Sequence, residues 1–457
     1  MKKLCIVIAL GLGAMVMLPA RAQLVPAGPE VPVSRAEYEQ LKKDQEDLKK
    51  EIAELKKARQ ETTVPRAQVI AVPPPPSVRA GGPTPATSDD LDEIDKTLRD
   101  IKGKLGDFRP GTEKLLIAGD AAFGFTSQRG GKSTFSAGIA PLALWQPTDQ
   151  LLIEAAADIG ISNDANGGSS TSFRLTLANA SYIVSDNLIV GGGLFVAPFG
   201  VYHRHFDPPW INKLPDDPLV FSDGGLAPGS IVGLYASGAV PLKHGMKVLY
   251  DAYVSNGPNL ETQDPGTSGL LHFDNYNDLN NNKAVGGRIA LQPITELEFG
   301  YSTQFGKAGS TGFRDVDALI QSVDFAYRKE IPAIVGTIDV HGEWVWSNVG
   351  RATYDPAGKL GFGPINFGNS RNGGYILVAY RPTGVSNKII RNIEYVARFD
   401  VMTVPLTAPG GEHERRLTLG VDYWISPAAV FKVAYEIDNR KTGPGANTFF
   451  IQLGLGL

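Results

Sequence analysis

Arg415-Arg416-Leu417-Thr418-Leu419-Gly420-Val421-Asp422-Tyr423-Trp424-Ile425 decides how this chain is to be read. Leu417, Leu419, Val421, Tyr423 and Ile425 fall on one side, and Thr418, Gly420, Asp422 and Trp424 on the other. A period of two marks a β-strand, because successive side chains point to opposite faces. The next segments repeat the pattern. Val430–Asp438 sets Phe431, Val433, Tyr435 and Ile437 against Lys432, Ala434 and Glu436. Thr448–Leu457 sets Phe449, Ile451, Leu453, Leu455 and Leu457 against Gln452, Gly454 and Gly456. A tilted strand of about 9–11 residues crosses a bilayer core. One apolar face and one charged or small face suit a wall between lipid and water, which predicts a transmembrane β-barrel.

Working outward, the same unit recurs from about Glu113 to Leu457. Strands are predicted at 113–125, 132–145, 150–160, 170–184, 187–196, 228–240, 246–255, 283–292, 296–306, 319–329, 336–347, 372–382, 392–401, 415–425, 429–438 and 447–457. That makes sixteen, an even number, as a single-chain bacterial barrel requires. Short connections such as Ser185-Asp186 and Ser426–Ala428 alternate with longer ones, and Thr383–Arg391 is the least tidy of the short set. The longer ones are expected outside the cell. Ala197–Ala227 and Asn256–Asn282 are the longest. Loops of that size in a compact wall are usually functional.

The amino terminus predicts export. Lys2 and Lys3 precede the apolar run Leu4–Leu18, and Ala20-Arg21-Ala22 offers a cleavage site, so residues 1–22 are expected to leave as a signal peptide. Cys5 is the only cysteine and leaves with it, which excludes a disulfide framework or thiol chemistry from the mature chain. Within residues 36–58, Tyr38, Leu41, Gln45, Leu48, Ile52 and Leu55 alternate in spacings of three and four, predicting a periplasmic coiled coil. Residues 59–88, with Pro73–Pro76, form a Pro-rich linker. Residues 89–111 carry a second short helix marked by Leu91, Ile94, Leu98, Ile101 and Leu105, then a break, and the barrel occupies 112–457. The formal net charge is −4, and no basic patch points to nucleic acid.

The polar face of each strand gives candidate lumen charges. Basic ones are Arg174, Lys247, Arg288, Arg328, Arg398, Arg416 and Lys432. Acidic ones are Glu154, Asp158, Asp251, Glu298, Asp324, Asp339, Glu343, Glu394, Asp400, Asp422 and Glu436, and they outnumber the basic set. In the Ala197–Ala227 loop, His203, Arg204, His205, Lys213, Asp216 and Asp217 are the candidate constriction residues. On this reading Phe431 faces lipid, and Lys432 faces water and can be replaced without harm to folding. His203 and His205 find no third ligand nearby, and the spacing in Asp274–Asn282 matches no EF-hand, so no metal or other cofactor is expected. Arg129-Gly130-Gly131-Lys132-Ser133 has Thr126 where a phosphate loop needs glycine. No nucleophile stands beside a base, so no catalysis is expected.

Ala197-Pro198-Phe199-Gly200-Val201-Tyr202, followed by Pro208-Pro209-Trp210-Ile211-Asn212-Lys213-Leu214-Pro215-Asp216, resembles a signature of the phosphate-selective porin O/P family. Leu417–Ile425 is similar to that family's penultimate strands, and the resemblance spans roughly Glu113–Leu457. It implies a trimeric, sixteen-stranded Gram-negative outer-membrane porin, some relatives of which carry an amino-terminal coiled coil. The family name also implies an arginine ladder for anions, whereas the lumen charges here are mixed. The leading expectation is therefore passive diffusion of small hydrophilic solutes or ions, weakly favouring cations, through an outer-membrane homotrimer constricted by the 197–227 loop. The alternative is a structural or adhesive barrel tethering the envelope through its coiled coil.

Overall fold

A computed structural model describes residues 115–131, 133–163, 169–222, 225–262, 267–273, 276, 281–309, 313–355, 358, 361 and 363–457. The signal segment, coiled coil, Pro-rich linker and second helix expected from the sequence lie outside the described residues, as does most of Asp274–Asn282.

The strands are β1 (Leu115–Gln128), β2 (Ser133–Trp145), β3 (Leu151–Asn163), β4 (Ser169–Ser185), β5 (Leu188–Val196), β6 (Ser230–Pro241) and β7 (Lys247–Asn256). Two-residue strands β8 (Asn259–Leu260) and β9 (Leu271–His272) follow, then β10 (Lys283–Ile294), β11 (Leu297–Lys307), β12 (Asp317–Ile331) and β13 (Gly336–Val349). The chain finishes with β14 (Asn369–Arg381), β15 (Ile393–Thr403), β16 (His413–Ser426), β17 (Ala429–Arg440) and β18 (Thr448–Gly456). All but β8 and β9 join one closed antiparallel barrel of sixteen strands. β8 and β9 pair only with each other, a small hairpin that the sequence pattern did not announce.

Closure is made by the first strand and the last. β1 pairs β18 from Asp120 opposite Gly456 to Gln128 opposite Thr448. Closing the ring leaves no strand edge with unpaired backbone groups, the condition for surviving in hydrocarbon.

Side chains alternate as the sequence requires, but inverted relative to a water-soluble protein. In β16, Leu417, Leu419, Val421 and Tyr423 are exposed on the outside, while Thr418, Gly420 and Asp422 are buried inside. In β17, Phe431 and Tyr435 are exposed while Lys432, Ala434 and Glu436 are buried. The outer surface is apolar around the ring, with Phe135 77% and Phe173 70% exposed. Those two and Phe305 sit toward the long-loop ends of their strands, whereas Tyr182, Tyr395 and Tyr423 sit toward the short-turn ends. Two such aromatic girdles flank an apolar band in barrels that cross membranes. A bulge between β3 and β4 shifts the register at Ala156/Ala157. It keeps Arg174 opposite Asp158 and Asn179 opposite Glu154, although one extra residue separates the two pairs on β4.

The untidy turn between β14 and β15 contains a one-turn helix, α2 (Lys388–Arg391). Its cap is Asn387, whose Oδ1 accepts from the amides of Ile389 at 2.9 Å and Ile390 at 3.3 Å.

Candidate functional site

The connection from β5 to β6 turns inward. Its neck is closed by the Ala197 amide donating to the Gly229 carbonyl at 2.7 Å. Ala197, Phe199, Val201, Tyr202, Leu214, Leu219 and Val220 are buried, and Ala197, Phe199, Tyr202, Leu214 and Val220 share one apolar cluster with side chains from the wall. A segment rich in proline and aromatics can supply that surface without forming a strand.

Each stretch of the segment is tied to inward-facing groups of distant strands. Gly200 has a positive φ of 64°, and a Cβ there would collide with the Glu343 carboxylate of β13. The Gly200 amide donates to Ser302 Oγ on β11 at 2.9 Å. Glu343 Oε2 accepts from the amides of Val201 at 2.9 Å and Tyr202 at 3.3 Å, while Ser322 donates to its Oε1 at 2.7 Å. These amides begin the single helical turn α1 (Tyr202–His205), where backbone donors lack intrahelical partners, so the carboxylate serves as its cap. Farther along, Lys432 of β17 donates to the carbonyls of Pro209 at 2.5 Å and Asn212 at 2.6 Å, and to Gln452 Oε1 at 2.9 Å. Gly454 and Gly456 of β18 leave the space that Pro209 and Trp210 fill.

Lys213 pairs with Glu394 of β15 at 2.8 Å and lies 5.5 Å above the Trp424 ring, whose Nε1 donates to the same carboxylate at 2.7 Å. Arg398, 1% exposed, binds the Asp216 carboxylate, the Asp216 carbonyl at 2.8 Å and Asp400 Oδ2 at 2.8 Å. Asp400 Oδ1 in turn accepts from the Leu219 amide at 3.1 Å. Arg204 reaches Asp251 of β7 at 2.6 Å. The segment thus spans from β5 and β6 to β18, inside the ring.

The residues singled out from the sequence divide into three groups. Arg204, Lys213, Asp216, Glu394, Arg398 and Lys432 are all involved in holding the segment to the wall. Arg288, Glu298 and Asp324 form a closed trio, with Arg288 2.7 Å from Glu298 and 2.5 Å from Asp324. Arg174 pairs with Asp158 at 3.2 Å, and Lys247 and Arg328 are exposed near the short-turn ends of β7 and β12. Lys432 is therefore not a wetted wall residue as its strand position implied: it is fully buried beneath the segment. Ser302, Asn212 and Gln452 also hold the segment and carried no charge to draw notice. Glu343 and Asp400 were legible as inward acids but not as loop partners.

The loop histidines part in behaviour. Burial opposes charging His203, but the Asp207 carboxylate 3.6 Å away, with Asp217 and Glu343 behind it, outweighs burial and raises its pKa above the ordinary value. Burial and then Arg204 lower that of His205. Asp217 accepts a hydrogen bond from Tyr202 Oη at 2.7 Å, yet burial and then Asp207 raise its pKa. No three metal-ligating side chains converge among the described residues.

Opposite the docked segment, the inward pair Asp158 of β3 and Arg174 of β4 remains accessible. Asp120 of β1 lies within electrostatic reach of Asp158 on β3 and of Asp207 on the segment. A recess of about 250 Å3 lies between the segment and the β3–β7 wall. The arrangement narrows the barrel on one side and keeps the other wet and acidic.

No family model and no curated protein matches this chain. Solved structures do. OmpF of Salmonella typhi, in complex with daunomycin, is 12% identical with a TM-score of 0.51, covering 75% of this chain and 97% of that one. The outer membrane channel DcaP of Acinetobacter baumannii is 10% identical with a TM-score of 0.48, covering 75% and 97%. The outer membrane protein opdK of Pseudomonas aeruginosa is 12% identical with a TM-score of 0.39, covering 75% and 99%. The likeness to OmpF is one of fold: this chain has the sixteen-stranded barrel architecture of outer-membrane porins.

Proposed function

We propose that this chain is a passive diffusion porin of the bacterial outer membrane. The observation that carries the reading is a closed barrel, apolar outside and polar inside, into which the β5–β6 segment folds. Small hydrophilic solutes and ions cross down their gradients, filtered by the width and charge left between the segment and the β1–β6 wall. His203, Arg204, His205, Lys213, Asp216 and Asp217 shape that constriction, and Arg174, Lys247 and Arg328 meet the water of the lumen. The long connections face outward, the signal peptide is removed after Ala22, and the heptads at 36–58 lie in the periplasm and support a homotrimer. Purified protein added to a planar bilayer should raise conductance in discrete steps; a folded protein that gives none overturns the reading. Unheated gel migration at about three times the chain mass checks the trimer.

The finer resemblance, to phosphate-selective porins, implies clustered cations free to bind anions. Here Arg288, Arg398, Arg416 and Arg440 each lie within ion-pair distance of carboxylates. An anion entering must replace lost hydration with fixed donors, and paired guanidiniums offer few. The proposed channel is therefore weakly cation-preferring. Reversal potentials in a KCl gradient test this, and marked chloride preference with phosphate block would reinstate the phosphate-selective reading.

A further inference from the structure

The recess between the inward segment and the β3–β7 wall divides by chemistry. Leu177, Phe195 and Pro198 give it an apolar floor. Asn179 and Tyr235 give it a polar edge, and Glu154 and Asp251 contribute carboxylates. Asp251 is already matched, since Arg204 sits 2.6 Å away. Glu154 has no ion-pair partner among the described residues; across the strands it faces Leu144 and Asn179. A half-buried carboxylate beside apolar surface has lost hydration and gained no counter-charge. With Arg204 cancelling Asp251, one negative charge is left over in the recess.

We infer that this recess transiently binds a small organic monocation, a primary ammonium on a short aromatic or apolar body, as it passes the constriction. The inference rests on the porin reading. The ammonium has three donors, which Glu154, the Asn179 carbonyl and the Tyr235 oxygen can accept. The body lies on Leu177 and Phe195. Phe195 and Tyr235, with ring centroids 4.6 Å apart and planes tilted by 52°, add aromatic faces that attract a cation. An organic anion meets Glu154 without a compensating charge, because the nearest guanidinium is engaged by Asp251. A bare inorganic cation makes no use of the floor.

The test is current through the full-length protein in a planar bilayer bathed in KCl, with benzylammonium, methylammonium or benzoate added. Benzylammonium should interrupt the current reversibly and saturably, at a half-blocking concentration about tenfold or more below that of methylammonium, while benzoate should not block. Glu154→Gln should raise the benzylammonium value about tenfold or more, the loss expected when a charge-assisted hydrogen bond becomes a neutral one, and Glu154→Asp should restore part of it. Equal block by both amines, or block unchanged in Glu154→Gln, overturns the inference. If Glu154→Gln does not fold, the comparison of the three solutes on the unaltered protein still decides. A protein that gives no conductance at all defeats the porin reading itself, whereas conductance without selective amine block defeats only this inference.

Discussion

The barrel has two kinds of inner wall. Both obey the same alternation, with polar side chains pointing in. On β11–β18 the inward groups Asp339, Glu343, Glu394, Arg398, Asp400, Asp422 and Lys432 are buried. On β3 and β4, Asp158 and Arg174 remain exposed. The difference lies in what covers them: one wall carries the docked segment and the other carries water. Inward polarity in a barrel therefore does two jobs. Where the segment docks, charges satisfy backbone groups that lie off any sheet. Where it does not, they set the field that a solute meets.

This contrast can be broken at several points. The largest effect is expected for Arg398→Ala. It leaves Asp216 and Asp400 buried without their guanidinium, and breaking a buried pair this way costs about 3–5 kcal/mol. The denaturation midpoint should fall and single-channel conductance should rise as the segment loosens; no change in either would sink the idea that this wall anchors it. Next come adjacent residues on opposite faces. Phe431→Arg puts a charge into lipid at a cost of about 2–4 kcal/mol near the midplane. Lys432→Ser should also destabilise, and should add current noise, because it frees the Pro209 and Asn212 carbonyls and removes the charge beside Asp422. A silent Lys432→Ser would put that side chain back in open water.

A smaller effect concerns pH. The pKa of His203 is raised in the folded chain, so its contribution is fully present below the ordinary imidazole value of 6.5 and is lost as pH rises through the folded value. The raised Asp217 acts with the same sign from a lower starting value. His205, whose pKa is lowered, stays neutral in the window just above 6.5. Current fluctuations should therefore grow as pH rises above the ordinary imidazole value of 6.5 and through the raised folded value, and His203→Gln should flatten that slope. The smallest effect is predicted for Arg174→Gln on the wet wall. An exposed pair contributes little, so stability should stay within about 0.5 kcal/mol, while the reversal potential moves slightly toward stronger cation preference. A large loss of stability would mean that the open wall, too, is a packed one.

The strands were legible because lipid and lumen impose opposite demands on alternate residues, and Leu417–Ile425 records both. The count was legible because each strand must turn back, and Gly, Asn, Asp and Pro mark the places. Strand pattern could not show which inward charges would be covered. Lys432 and Arg174 both face inward on their strands, yet one is buried and the other exposed. The deciding partners, Pro209 and Asn212 for Lys432, sit 223 and 220 residues away in the chain. The β8–β9 hairpin escaped for a related reason: it has only two residues in each strand, too few to show a period.

Those separations bear on how the barrel comes into being. The segment is made early, while its anchors Ser302, Glu343, Arg398, Lys432 and Gln452 follow 102 to 237 residues later than their partners in it. Long-range contacts form slowly, because the chain between them must be ordered before they give any return. A wall still under construction therefore has no narrowing, and the size limit of the channel is among the last properties the chain acquires. Trp210, which packs against Gly456 in the closing strand, is placed to report that moment. During refolding into lipid its fluorescence should settle after the β-sheet circular dichroism signal does, and simultaneous traces would show that segment and wall assemble together.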